Sequence, residues 1–110
     1  MIEGFEQGSL IILNLINPRE KFWGMLSSLS AAGVTIRGIN LDSFNDWVRA
    51  LARQEEQELS LVTMFVPLFR VERIFLDEPV GGVQSYAQYF EQVVGFSVAD
   101  YLGQAPGSDQ

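Results

Sequence analysis

Two apolar runs constrain this chain most. SLIILNLI occupies residues 9–16 and LSLVTMFV residues 59–66; Asn17-Pro18 breaks the first and Pro67 stops the second. Runs this short, rich in Ile, Leu, Val and Phe, predict buried strands, since a helix needs about 10–12 residues. Proline cannot donate to a strand ladder, so it sets the ends.

Residues 18–33 admit two readings. As a helix, Asn17 is the N-cap, Pro18 sits at N1 and Glu20 at N3, Phe22, Leu26 and Leu29 share a face, and Gly33 closes the C-terminus. As a hairpin, KFWGMLSSLS runs out, Ala31-Ala32-Gly33 turns, and VTIRGINL returns. Gly24 costs a helix interior about 1 kcal/mol but marks a bend or bulge in a strand. The serines at positions 27, 28 and 30 add little to a helix, so the hairpin is favoured.

Further along, Ser43 with Asp46 at N3 predicts a helix over residues 43–56, with Phe44, Trp47, Val48, Leu51 and Ala52 on its apolar face. VPLFRVERIFLDEP, residues 66–79, breaks strict alternation. Val71 and Ile74 are three apart, which a flat strand cannot place on one face. A bulge or single tight turn near residues 70–73 repairs the phase, followed by a strand over residues 73–77 that buries Ile74 and Leu76. Val80-Gly81-Gly82-Val83 reads as a flexible link. Ser85 caps a second helix that Gly95 ends, and Ser97 with Asp100 starts a final short turn. Residues 1–8 and 103–110 read as flexible tails of one domain spanning residues 1–110.

Composition narrows the chemistry. The 110 residues contain no cysteine, which removes disulfides and thiolate chemistry, and no histidine, the commonest general base and metal ligand. The net charge of −7 opposes nonspecific binding to phosphate or anionic lipid. No apolar run approaches the roughly 20 residues of a membrane-spanning helix. No basic segment followed by an apolar one opens the chain, so the expectation is a cytoplasmic protein without membrane contact.

The stretch from Ser9 to Leu76 resembles small β-barrels of the SH3-like and Sm-like type. The run SLIILNLI, the hairpin around AAGVTIRGINL, and LVTMFVP followed closely by VERIFL carry the likeness. Asn40-Leu41-Asp42 is at best an echo of the Sm nucleotide loop. The chain also resembles small bacterial proteins of unknown function through the steps Trp23-Gly24, Arg37-Gly38, Asp46-Trp47 and Arg70 to Arg73, which supply no activity. The resulting expectation is an α+β domain: a bent five-stranded SH3-like or Sm-like barrel, an inserted amphipathic helix between the third and fourth strands, and a C-terminal helix.

No catalytic, cofactor or metal site stands out. Asp77-Glu78 is an acid pair, but neighbours on a strand point to opposite faces, which suits a solvated strand end. Gly81-Gly82 lacks the spacing of a phosphate loop, and the serines lack a histidine partner and a nucleophile elbow. Arg37, Arg49, Arg53, Arg70 and Arg73 form the candidate basic surface, with Asp46, Glu56 and Glu72 near enough in sequence to neutralise them. Trp23 and Phe69 are the candidate exposed aromatic contacts. The chain is therefore expected to be a noncatalytic module that associates with itself as a homo-oligomer or with a protein partner. Sm-like RNA binding is the alternative, which the net charge disfavours.

Overall fold

The computed structural model describes residues 3–55 and 60–104. Its five antiparallel strands are β1 (Leu10–Leu15), β2 (Glu20–Leu29), β3 (Gly33–Asn40), β4 (Val62–Pro67) and β5 (Val71–Leu76). They lie in the order β4-β3-β2-β1-β5. Helix α1 (Leu41–Ala52) joins β3 to the segment before β4, a 3-10 turn (Leu68–Arg70) joins β4 to β5, and α2 (Tyr86–Val94) and α3 (Val98–Gln104) follow. The class is α+β. The sheet is unclosed, because β4 and β5 are its two edges and do not pair with each other.

Residues 18–33 are the hairpin, and the helical reading fails. Period two decides it: Phe22 and Leu26 pack to one side of β2 while Trp23 and Met25 pack to the other. Gly24 stands directly opposite Gly38 on β3. A Cβ at Gly24 would lie 2.2 Å from the Arg37 carbonyl oxygen, and one at Gly38 would lie 2.3 Å from that of Trp23. The strands approach too closely here for any side chain, so the glycine that weakens a helix is what this strand pair requires.

The sheet separates two cores. Ile11, Leu13, Leu15, Leu26, Val34, Ile36 and Val66 fill one side, with Phe22, Met64, Val71, Ile74 and Leu76 packed around them. Trp23 and Ile39 face the other side, where α1 contributes Phe44, Trp47 and Val48, α2 Phe90, and α3 Val98 and Leu102. The helix-side core is aromatic. Trp23 and Phe44 meet edge to face with centroids 5.1 Å apart, and Trp47 lies 5.4 Å from Phe90. Each such pair adds about 0.5–1.5 kcal/mol beyond its buried area.

The phase slip in VERIFL is a bulge. Asn14 lies opposite Arg73 while Leu15 lies opposite Val71, so Glu72 is the additional residue and Ile74 and Leu76 return to the core side. The tight turn comes slightly earlier than expected, at Leu68–Arg70, and β5 begins at Val71 rather than Arg73.

Other boundaries differ from expectation. Helix α1 starts at Leu41, not Ser43, because Asn40 is its cap: Asn40 Oδ1 accepts from the Asp42 N–H at 2.8 Å. The helix ends at Ala52, and Ala52 is exposed rather than packed. The predicted end at residue 56 lies outside the described residues. Val80 to Val83 is a tight two-residue hairpin turn, not a loose link: Val80 and Val83 exchange backbone hydrogen bonds of 3.0 and 2.9 Å, with Gly81 at φ 59°. Residues 3–8 do not form a free tail. The Gly8 N–H donates to the Leu26 carbonyl at 2.8 Å, and Phe5 packs against the strand core. Gly103 and Gln104 belong to α3; the rest of the expected C-terminal tail lies outside the described residues.

Candidate interaction surface

The residues singled out in the sequence do not gather into one site. Trp23 is fully buried, at 0% exposure, so it is a core residue rather than a surface contact. The cause is its position in the middle of β2 on the helix-covered face, against Phe44 and Trp47. Its indole Nε1 donates to Asp77 Oδ2 at 2.9 Å.

Asp77 is consequently not a free strand-end acid. Its Oδ1 accepts from the Tyr86 N–H at 2.8 Å and its Oδ2 from the Ala87 N–H at 2.9 Å. These are two of the donors that the first turn of a helix leaves without intrahelical partners, and a carboxylate suits that end of the dipole. Ser85 and Gln88 complete the terminus with a reciprocal capping box. One carboxylate therefore ties β2, the end of β5 and the start of α2 together.

Arg70 is also structural. Its Nε donates to the Ile16 carbonyl at 2.7 Å, and Nη2 donates to the Pro18 carbonyl at 2.7 Å and to Glu20 Oε1 at 3.0 Å. The guanidinium fork clamps the β1–β2 turn, where Asn17 takes a positive φ of 54°, onto the 3-10 turn. The other arginines are dispersed. Arg37 lies on β3 opposite Met25 and Thr63, and its Nε is buried without a hydrogen-bond partner among the described residues. Arg49 is exposed on α1 and Arg53 is exposed at its C-cap, 3.6 Å from Glu55. Arg73 is exposed on β5, with its guanidinium 6.0 Å from the Phe75 ring centre.

Phe69 is exposed, at 81%, on the 3-10 turn. It has neighbours the sequence did not single out: Val62, Phe65 and Leu68 are exposed too, with Phe65 at 55%. The run VTMFVP has no charged residue and little alternation, which reads as a strand buried on both faces. Its place at the sheet edge leaves Val62 and Phe65 in solvent instead. Exposed apolar side chains thus border the β4 edge on both faces of the sheet, Val62 on one and Phe65 on the other, and continue into the turn at Leu68 and Phe69.

A concave feature lies between the starts of α1 and α2. It is an open groove of about 460 Å³ lined chiefly by Leu41, Phe44, Val83, Tyr86 and Tyr89. The Tyr89 hydroxyl donates to Asn45 Oδ1 at 2.6 Å at its rim. Its volume is in the range of small-molecule sites, but no group of charged side chains converges there.

No family model, curated protein or solved structure matches the chain. Among the described residues, no helix is long and apolar enough to cross a membrane.

Proposed function

We propose that this chain is a noncatalytic interaction module that associates with itself through the exposed apolar side chains of β4 and the 3-10 turn. The exposure of Phe69 together with that of Leu68, Phe65 and Val62 on the same segment, residues 62–69, carries this reading. Large apolar side chains clustered on one segment at a sheet edge are the usual material of a protein–protein contact, with aromatic residues supplying most of the energy. The open SH3-like or Sm-like arrangement is part of the proposal. Its support is five antiparallel strands in the order β4-β3-β2-β1-β5 with a 3-10 turn between the last two.

RNA binding is less well supported. Arg70 is committed to backbone carbonyls and Glu20, and the other arginines are spread over β3, α1 and β5 rather than forming a stripe interleaved with aromatics. Light scattering after size exclusion tests the main reading. The wild type is expected to elute as a dimer or larger, and Phe69→Asp as a monomer of 12.3 kDa. A wild type that stays monomeric at high concentration removes the reading.

A further inference from the structure

The association proposed above has a specific geometry available to it. Proteins protect sheet edges with charges, prolines, bulges or covering segments. The β5 edge has several of these: Glu72 in the bulge, Arg73 beside it, Glu78 just beyond, and the N-terminal segment nearby, where a Cβ on Gly4 would lie 4.0 Å from Leu76 Cδ1. The β4 edge has Pro67 at one end and no charge along its length.

The hydrogen-bond phase of β4 is fixed by one contact. The Leu68 N–H donates to the Ala32 carbonyl at 3.0 Å, one step past the Gly33–Pro67 pair. In an antiparallel ladder the bonded and non-bonded pairs alternate. Val66, Met64 and Val62 therefore exchange bonds with β3, while Thr63, Phe65 and Pro67 direct their backbone groups away from it. Pro67 fits this phase, since it has no N–H to place on the β3 side or to offer outward. Thr63 and Phe65 thus present unpaired N–H and C=O groups along the outer side of β4, with no partner among the described residues. The Phe65 ring leans inward over β3, where a Cβ on Gly33 would meet its Cζ at 2.7 Å, so it leaves the outer backbone groups of β4 uncovered.

We infer that β4 pairs antiparallel with β4 of a second copy across a two-fold axis, through the outward backbone groups of Thr63 and Phe65, joining two sheets into one. An antiparallel strand edge is self-complementary about a two-fold, so the same residues serve both sides. The absence of charge on β4 matters in a chain of net charge −7, because two copies meet here without like charges facing each other on the strand itself. This inference rests on the self-association reading and specifies its contact.

Thr63→Pro removes an outward N–H while leaving the β3–β4 bonds in place, and an edge strand tolerates proline there. By light scattering, the wild type is expected at twice the 12.3 kDa chain mass and folded Thr63→Pro at the chain mass. Where Thr63→Pro does not fold, Thr63→Lys decides instead by setting like charges against each other across the axis; monomer supports the pairing and dimer overturns it. A wild-type dimer that Phe69→Asp dissociates but folded Thr63→Pro does not overturns strand pairing and leaves side-chain association standing. A monomeric wild type overturns both.

Discussion

The Trp23 indole donates to the carboxylate of Asp77 at 2.9 Å, and the same carboxylate holds the first two helical N–H groups of α2. A sheet tryptophan and a helix terminus therefore share one acceptor. Hydrogen bonds to a charged group contribute about 1.5–3 kcal/mol each, and removing the acceptor strands a part-buried indole donor. Asp77→Ala is expected to destabilise the protein by about 2–3 kcal/mol in urea denaturation. Combined with Trp23→Phe, the loss should fall short of the sum of the singles, because the two substitutions remove one shared interaction. Additive losses would show that the bond contributes nothing.

The facing glycines predict a sharp positional contrast. Gly24→Ala or Gly38→Ala drives a methyl into a backbone carbonyl at 2.2–2.3 Å, and backbone cannot yield as a flexible side chain can. Each should cost about 3 kcal/mol or prevent folding. A Cβ at Gly82 meets nothing within 4 Å, so Gly82→Ala should change stability by less than about 0.5 kcal/mol. Thermal denaturation of the three variants under one condition checks this.

Arg70 predicts a stability effect rather than a binding effect. Arg70→Lys keeps the charge but cannot reproduce the fork that reaches Ile16, Pro18 and Glu20. A loss of about 1.5–3 kcal/mol in denaturant is expected, with the oligomeric state unchanged at concentrations where the variant is folded. A dissociated but equally stable Arg70→Lys would place this residue at the interface instead.

Dispersed arginines also make a prediction about nucleic acid. Labelled single-stranded RNA should not be retained by the protein even at low salt, where phosphate contacts are strongest. Retention that falls steeply as salt rises would favour the RNA reading.

The strands were legible because their signals, short apolar runs and turn residues, are local. Gly24 and the Ala31-Ala32-Gly33 turn pointed to the hairpin even though Phe22, Leu26 and Leu29 also fit a helical face, Ser85 and Ser97 with Asp100 marked two helix starts, and the step from Val71 to Ile74 announced the bulge at Glu72. The surface was less legible because it depends on strand order. Nothing in VTMFVP says that β4 lies at an edge, so its exposed Val62 and Phe65 read as core. Trp23 and Arg70 failed as surface candidates for the converse reason. Their partners, Asp77 and the β1–β2 turn, lie 50 or more residues away in the chain. Asn40 does not stand out as a cap because Ser43, three residues later, is an equally acceptable one.

Amide hydrogen exchange at several protein concentrations tests the central claim most directly, because Thr63 and Phe65 have outward N–H groups with no protein partner among the described residues, which a second chain would protect. The account predicts that exchange at these two amides slows as concentration rises. Those of Ile74 and Leu76 on the opposite edge of the sheet are expected to keep a constant rate. Rates at Thr63 and Phe65 that do not change across the concentration range, in a protein that light scattering shows to be associated, would contradict pairing through β4.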